Sequence, residues 1–233
     1  MLRDVARRLK HAVEPRATRN DRADRAALRA ILAAVLAPDS CCVDVGANVG
    51  EVLEDMVRCA PRGRHVAFEP LPALAAALRE RFPDVDVREA ALADEPGRSS
   101  FVHVLAKPGW SGLRARPFSE GEPAETIEVE VRRLDDELPA DLVPRLVKVD
   151  VEGAELGVLR GAERTLREHR PVVVLEHGLG SADVFGTSPH DVFDLLAGHG
   201  YRLFGLSGDG PYDAARFEAV FHARERVNFL ATP

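Results

Sequence analysis

Short apolar runs that alternate with helical stretches constrain the fold of this chain more than any other feature of its sequence. The runs have the length and composition of strands that are buried on both faces; they are Cys41–Val45, His65–Phe68, Val85–Arg88, Leu146–Val149 and Val172–Leu175. The spacing of apolar residues predicts helices at 49–59, 71–82, 155–168 and 188–198. This alternation predicts an α/β fold in which right-handed crossovers connect a mostly parallel sheet.

Two parts of the chain depart from this alternation. Residues 98–104 and 126–133 have strand patterns, and the long connection between them is rich in glycine and proline. The alternating segment TIEVEVRRL predicts a half-exposed antiparallel strand. Residues 201–206 and 226–231 predict a second antiparallel pair near the end of the sequence.

The first 37 residues predict a helical extension that precedes the sheet domain. The first helical pattern has its apolar positions at Leu2, Val5, Leu9 and Val13. The second begins after a cap at Asn20 or Asp21 and ends before Pro38. Its apolar face consists of Leu28, Ile31, Leu32 and Val35. Residues 1–37 carry nine Lys/Arg and four Asp/Glu, a net charge of +5, whereas the remainder carries 22 and 34, a net charge of −12. We therefore divide the chain into an extension (1–37) and a domain (38–233), and we expect the extension to be a lid or docking element outside the sheet core.

The composition of the chain indicates its cellular compartment and excludes some classes of partner. The chain has 233 residues, is 45% hydrophobic and has a net charge of −7. It contains no apolar stretch of the roughly 20 residues that a membrane span needs. The N-terminus lacks the apolar core of a secretory signal, and the three cysteines form neither a disulfide framework nor a zinc spacing, which together predict a cytoplasmic protein. The basic extension could contact an anionic partner such as nucleic acid or a membrane surface. It has no aromatic residue to stack on bases, and the rest of the chain is acidic, so we expect no nucleic-acid partner and no membrane partner; a homo-oligomer is compatible with the sequence.

The segment DVGANVG at residues 44–50 is the strongest signal of a ligand site. It follows an apolar run and precedes a helix, and Gly46 and Gly50 permit a tight turn that a ligand can approach closely. The start of the following helix presents free N–H groups and the positive end of the helix dipole. We expect Gly46, Asn48 and Gly50 to line the ligand, with Asp44 next to a cationic group of it.

The spacing between this turn and the next carboxylate at a strand end indicates the kind of ligand. Glu69 comes nineteen residues after Gly50, directly behind an apolar run. An acid at the end of the second strand binds the ribose hydroxyls of a nucleoside in such folds. The turn reads G-x-N-x-G and lacks the third glycine of the dinucleotide fingerprint, and Asp44 suits an ammonium group better than a diphosphate. These features favour S-adenosylmethionine as the cofactor, and an NAD-dependent oxidoreductase is the alternative.

Acidic residues also follow two later strands. Asp150 and Glu152 lie in the segment KVDVEGAE, and Glu176 and His177 follow the next strand; open α/β sheets bind ligands at such carboxyl ends. Methyl transfer to an aliphatic hydroxyl benefits from a proton acceptor within hydrogen-bond reach, and an imidazole can accept a proton near neutral pH. We therefore predict that Asp150, Glu176 and His177 are catalytic, with His177 as the general base or, alternatively, a loop histidine bonded to the backbone. Asp150 is also expected to contact the cofactor.

Four segments together resemble one known family. They are DVGANVG at 44–50, FEP at 68–70, KVDVEGAELGVLRGA at 148–162 and NFLATP at 228–233. Their combination is similar to the FkbM family of S-adenosylmethionine-dependent methyltransferases, over residues 40–233. The resemblance implies a doubly wound, mostly parallel, seven-stranded sheet of the Rossmann-like class I methyltransferases, with an antiparallel last strand. It also implies O-methylation of a hydroxyl on a small molecule, such as a sugar or a secondary metabolite.

The resemblance places further residues at the cofactor and leaves alternatives open. It implies that Pro70, Glu89 and Ala90 border the cofactor, although Glu89 stands where asparagine is usual in the family. Asp150, Glu176 and His177 could alternatively hold Mg²⁺, but nothing in their spacing demands it, so we expect no metal. A cofactor-binding domain without catalytic activity is a third reading of the same motifs.

Overall fold

The computed structural model describes residues 16–116 and 121–233. In chain order its elements are α1 (Arg16–Val35), β1 (Cys41–Val45), α2 (Glu51–Cys59), β2 (Val66–Phe68), α3 (Pro72–Arg81), β3 (Asp86–Arg88), β4 (Ala91–Leu92), β5 (Gly97–Val104), β6 (Ala124–Arg132), α4 (Leu134–Glu137), β7 (Pro144–Val149), α5 (Glu155–Arg160), α6 (Glu163–Glu168), β8 (Val172–Glu176), α7 (Pro189–Gly198), β9 (Arg202–Gly205), α8 (Ala214–His222) and β10 (Asn228–Thr232). Short 3₁₀ helices lie at Pro108–Trp110 and Ala182–Phe185. Among the described helices, none combines the length and the apolar character that crossing a membrane would require.

Seven strands form the main sheet in the order β3-β2-β1-β7-β8-β10-β9. The pairs from β3 to β8 are parallel, and β10 runs antiparallel to both β8 and β9. This confirms the predicted α/β fold, its antiparallel last strand and the antiparallel pair near the end of the sequence. β1 and β7 are neighbours with Asp44 opposite Lys148. The carboxyl ends of β1, β2, β7 and β8 therefore meet at one edge of the sheet, where such folds bind ligands.

A second, smaller sheet lies beside this edge. β5 and β6 pair antiparallel along their whole length, as the sequence predicts, and β4 pairs parallel with β6. The segment after β5 folds back on it: Val102 and Gly112 exchange backbone hydrogen bonds, and the Ser111 hydroxyl accepts a hydrogen bond from the Val104 amide at 3.0 Å. The start of the long connection is therefore held against β5.

Alternate residues of the central strands are buried in two different layers. Val43, Val147 and Val173 belong to the layer that α5 to α8 cover, whereas Cys42 and Leu146 face α1 and α2. Full burial of an aliphatic side chain of this size stabilises a fold by about 1.5–3 kcal/mol. Both faces of the sheet are covered, as its continuous apolar strands require.

The N-terminal helix is part of the core, so the expectation of a lid outside the sheet is wrong for its second half. α1 begins at Arg16, before the predicted cap at Asn20 or Asp21. Leu32 is fully buried and packs in one cluster with Cys42 and Leu146 of the sheet. The sheet therefore covers the apolar face of this helix. The helix pattern from Leu2 to Val13 lies outside the described residues, and the division of the chain at residue 37 stays a prediction.

The predicted helix at 155–168 is broken into α5 and α6. The carboxylate of Asp135 accepts hydrogen bonds from the backbone N–H groups of Arg164 at 2.7 Å and Thr165 at 2.9 Å. It thereby serves as a cap, from outside the segment, for the free donors of a new helix start. A cap supplied from another part of the chain leaves no signal in the local apolar spacing.

Candidate active site

The glycine-rich turn after β1 is packed tightly against the end of β7. Gly46 has a φ of 78°, and a Cβ atom at this position would lie 1.9 Å from the carbonyl oxygen of Asp150. The amides of Gly46 and Ala47 both donate hydrogen bonds to the carbonyl of Phe68, at 3.0 and 3.1 Å. The turn therefore needs glycine at position 46 for both backbone conformation and space. Asn48, with a φ of 50°, then directs its backbone amide towards β2.

Glu69, at the end of β2, has both carboxylate oxygens fixed by backbone donors. Its Oε2 accepts a hydrogen bond from the Asn48 amide at 2.8 Å, and its Oε1 accepts one from the Leu71 amide at 2.9 Å. The residue is only 4% exposed. Burial raises the pKa of Glu69, and the two backbone hydrogen bonds oppose that shift. Each carboxylate oxygen retains acceptor capacity for hydroxyl groups in the adjoining cavity.

A cavity with about 720 Å³ of empty space, part of it open to solvent, lies at the carboxyl ends of the central strands. We call it the first cavity. Its acidic lining consists of Glu69, Asp150, Glu152 and Glu176, and its apolar lining includes Leu71, Leu92, Phe101, Leu113 and Val151. Among the described residues that line it there is no lysine or arginine. The surroundings therefore favour a ligand that has an apolar part and carries positive charge.

The structure brings together most of the residues that the sequence singles out for the cofactor. Gly46, Asn48, Glu69, Pro70, Ala90 and Asp150 all line the first cavity. Asp44 lies fully buried beneath the turn, and Gly50 is packed against Leu78 and Phe82. The Glu89 side chain is exposed and lies 3.4 Å from Arg79. These three residues do not line the cavity.

Lys148 is a charged residue of the site that the sequence reasoning missed. Its ammonium group donates a hydrogen bond to the Gly46 carbonyl at 2.8 Å and lies 3.3 Å from Asp44 Oδ1 and 3.4 Å from Asp150 Oδ2. Burial by itself lowers the pKa of Lys148, but the two facing carboxylates outweigh it and raise that pKa above its usual value. Burial raises the pKa of Asp44, and Lys148 opposes that shift. One buried cation thus holds the turn of β1 and the end of β7 together.

Glu176 stands at the end of β8 and borders two cavities. It lines the first cavity together with Asp150, and both residues also line a second cavity on the α1 side of the sheet. Burial raises the pKa of Glu176 well above its usual value, and the negative charges of Asp150 and Glu155 raise it further, against the influence of Lys148 and Arg116. In its ionised form, a carboxylate with a raised pKa is a stronger base than an exposed one.

A buried arginine from the long connection also reaches this edge of the sheet. Arg116 is 3% exposed and forms an ion pair with Glu152, whose φ is 60°. Burial lowers the pKa of Arg116, and the carboxylates of Glu176, Asp150 and Glu155 oppose that shift. Sequence reasoning missed Arg116, because nothing in the Gly/Pro-rich connection distinguishes it from its exposed neighbours.

His177 is not brought to the first or the second cavity. It is completely buried, with its ring 6.0 Å from that of Phe217 and 5.0 Å from that of Phe221, measured between centroids. Its Nδ1 lies 3.7 Å from Glu155 Oε2, and neither ring nitrogen has a hydrogen-bond partner among the described residues. Its backbone amide donates to the Val227 carbonyl at 2.7 Å. The role of His177 as the base stays a prediction.

The metal alternative has no support in the arrangement of donors. In residues 16–116 and 121–233, no three or more His, Cys, Asp or Glu side chains are grouped so that they could hold a metal ion. Asp150 and Glu176 border the cavities, whereas the His177 ring is enclosed by aromatic side chains.

The strand order, the antiparallel last strand and the cavity at the carboxyl ends of β1, β2 and β7 define the fold of class I methyltransferases. The solved structure of the methyltransferase FkbM from Methylobacillus flagellatus has the same fold, with a TM-score of 0.53 and 20% sequence identity over 85% of this chain and 44% of that one. The family model described as "Methyltransferase FkbM domain" matches residues 44–203. The chain therefore belongs to the FkbM methyltransferase family.

Several curated proteins are similar to this chain in sequence. The 2-O-methyltransferase NoeI of Sinorhizobium fredii is 32% identical over 61% of this chain and 65% of its own length. The AMB antimetabolite synthetase AmbE of Pseudomonas aeruginosa is 31% identical over 84% of this chain, which corresponds to 11% of that protein. The chain thus spans less than two thirds of the length of each of these relatives.

Proposed function

We propose that the chain is an S-adenosylmethionine-dependent methyltransferase that methylates a hydroxyl group of a small molecule. The observation that carries this proposal is the first cavity, in which a fixed carboxylate at the end of β2 faces acidic residues at the ends of β7 and β8. The name of one relative, a 2-O-methyltransferase, supports oxygen as the methyl acceptor. A cytoplasmic location and a small-molecule partner belong to the same proposal.

The lining of the first cavity suits S-adenosylmethionine better than NAD. Glu69 can accept hydrogen bonds from two ribose hydroxyls, and the buried Asn48 Oδ1, which has no hydrogen-bond partner among the described residues, is a further acceptor. The apolar side chains around Leu92 and Phe101 suit an adenine ring. The described lining holds no lysine or arginine that could bind a diphosphate, whereas its carboxylates can attract a sulfonium and an ammonium group.

Glu176 is the residue that we propose as the proton acceptor. S-adenosylmethionine, when bound, supplies a methyl group on a positively charged sulfur. As the acceptor oxygen bonds to this methyl carbon, the carbon–sulfur bond would break and leave S-adenosylhomocysteine, and the hydroxyl proton would pass to the Glu176 carboxylate. Asp150 would orient the acceptor from the neighbouring strand end, while Lys148 keeps Asp150 in place. Much of the rate enhancement would come from positioning the two reactants, which is worth up to about 7–11 kcal/mol.

Calorimetry and a transfer assay test this proposal. S-adenosylhomocysteine should bind to the purified chain, and NAD should not. Transfer of a labelled methyl group to at least one compound of a hydroxyl-acceptor panel should then follow. Binding of NAD without binding of S-adenosylhomocysteine would support the oxidoreductase instead. Binding of S-adenosylhomocysteine without transfer to any acceptor would support the non-catalytic domain.

A further inference from the structure

The second cavity lies between α1, α2 and the carboxyl ends of β7 and β8, and it has about 850 Å³ of empty space, part of it open to solvent. We propose that it binds the methyl acceptor and that this acceptor is an uncharged polyhydroxylated molecule such as a sugar ring. This inference rests on the proposed function, because it assigns the first cavity to the cofactor. Asp150 and Glu176 line both cavities and form the boundary between them.

The shared residues put a ligand of the second cavity in the right place for methyl transfer. A hydroxyl group bound next to Glu176 would lie beside the proposed proton acceptor. The same residue also lines the cavity proposed for the methyl donor. Two substrates that enter from opposite sides can meet at this boundary, which is the arrangement that direct transfer between them requires.

The charges in the second cavity argue against an anionic acceptor. Its lining contains four carboxylates and two cations. Both cations are already paired: Arg25 forms an ion pair with Glu51 on α2, and Lys148 lies between the Asp44 and Asp150 carboxylates. The Asp55 carboxylate is likewise paired, with two arginines. A phosphate or carboxylate on the ligand would therefore meet no unpaired cation among the described lining residues.

Two further polar side chains of the lining suit hydroxyl groups. Asp24 Oδ2 accepts a hydrogen bond from the Asn228 side-chain amide at 3.0 Å, so a carboxylate and an amide lie together in the lining of the cavity. Such groups can accept hydrogen bonds from hydroxyls and donate to them. Leu28, Val52 and Leu206 supply an apolar wall for the C–H face of a sugar ring. The mixture fits an uncharged polyol better than an extended apolar compound.

The test fills the second cavity without touching the first. Leu28→Trp places a large ring in the wall formed by α1, and Ala33→Trp, at an exposed position of the same helix, is the matched control. Asp24→Ala is a second, milder variant. Protein saturated with S-adenosylhomocysteine is titrated with methyl glucoside, methyl galactoside and methyl mannoside, and separately with the corresponding sugar phosphates. Binding is followed by NMR shifts of the Asn228 side-chain amide and of the Leu28, Val52 and Leu206 methyl groups.

We expect at least one uncharged glycoside to shift these signals on binding. The sugar phosphates should bind with an affinity at least tenfold lower. Leu28→Trp and Asp24→Ala should lower the affinity for this glycoside at least tenfold, and Ala33→Trp should leave it unchanged. Affinity for S-adenosylhomocysteine should stay within twofold in all variants. A tenfold loss of that affinity in Leu28→Trp would overturn the inference, because the cavity would then hold part of the cofactor. It would equally be overturned if no glycoside shifted the signals, or if only the phosphates did. Failure of the wild-type chain to bind S-adenosylhomocysteine would instead contradict the proposed function.

Discussion

The ammonium group of Lys148 donates a hydrogen bond to the carbonyl oxygen of Gly46 at 2.8 Å, across the pairing of β7 with β1. The same group lies 3.3 Å from Asp44 and 3.4 Å from Asp150. The cation therefore joins the turn under the proposed cofactor to the carboxylate beside the proposed methyl acceptor. Its removal would leave buried carboxylates unpaired, and breaking one partner of a buried ion pair costs about 3–5 kcal/mol.

Lys148→Met should lower the free energy of unfolding by about 3–5 kcal/mol, measured by urea denaturation at neutral pH. Adding Asp44→Asn to this variant should recover part of the loss, since it removes one of the uncompensated charges. Arg58→Met, which removes an exposed partner of Asp55, is the control and should change stability by at most about 1 kcal/mol. Unchanged stability in Lys148→Met would contradict the structural role described for this residue.

Glu69→Ala should weaken the binding of S-adenosylhomocysteine by about 1.5–3 kcal/mol, which is the range for hydrogen bonds to a charged group. This corresponds to roughly a 10–150-fold increase in Kd, measurable by calorimetry. Glu80→Ala, an exposed position of α3, should leave Kd unchanged. Equal affinities of Glu69→Ala and wild type would mean that the ribose is bound elsewhere.

Gly46→Ala should abolish cofactor binding, because its Cβ atom would lie 1.9 Å from the Asp150 carbonyl oxygen and the turn would have to move. Gly186→Ala is the matched control, since Gly186 also has a positive φ, 71°, but nothing lies within 4 Å of its Cβ position. Both substitutions carry the cost of a left-handed conformation, about 1–2 kcal/mol. Circular dichroism checks that each variant folds, and a Gly46→Ala variant with wild-type affinity would refute the close packing of the turn.

Glu176→Gln should lower turnover by about 10²–10⁴-fold, the usual effect of removing a general base.

The same substitution should also change the pH dependence of stability, which can be measured without a methyl acceptor. Because the folded-state pKa of Glu176 is raised, its contribution to stability is full at low pH. That contribution is lost as the pH rises from the usual glutamate value, about 4.3, through the raised pKa. The Gln side chain cannot ionise, so the Tm of Glu176→Gln relative to wild type should increase over this pH range. A difference in Tm that is constant with pH would contradict the raised pKa.

His177→Ala should reduce the free energy of unfolding by about 2–4 kcal/mol, because it leaves a cavity between buried aromatic rings. His177→Phe, which retains an aromatic ring at this position, should reduce the free energy of unfolding by less. Urea denaturation and a methyl-transfer assay on the same samples separate this packing role from catalysis. A His177→Phe variant that is stable and binds S-adenosylhomocysteine, but whose turnover falls by about 10²–10⁴-fold, would identify His177 as the base after all.

Local patterns predict the sheet well and the side-chain partners poorly. β1 has the predicted bounds, Cys41–Val45, because its apolar run and the glycine turn define both of its ends within the sequence itself. No local pattern indicates the role of Lys148, because that role depends on the register between β7 and β1, about a hundred residues apart in the chain. The apolar face of α1 was recognised from Leu28 and Leu32, but periodicity does not reveal that the sheet is what covers it.

The end of β8 shows that the same limit applies to the residues predicted to be catalytic. Glu176 and His177 are adjacent in sequence and equally well placed by the argument that ligands bind beyond strand ends. Successive side chains of an extended segment point to opposite sides. Glu176 consequently faces the cavities, and His177 is enclosed by Phe217 and Phe221 of α8. Which of the two faces the ligand depends on how α8 packs, and that is not encoded near residue 177.

Since Glu176 borders both cavities, the proton that it binds acts as a third ligand of the protein. A molecule entering either cavity displaces water from this carboxyl group or brings charge near it, and so changes its affinity for the proton. Linkage is reciprocal, so the affinity of each cavity for its own ligand must vary with pH through the same group. The molecule in one cavity would therefore change the affinity of the other cavity for its ligand through a single exchangeable proton, in addition to any direct contact between the two molecules.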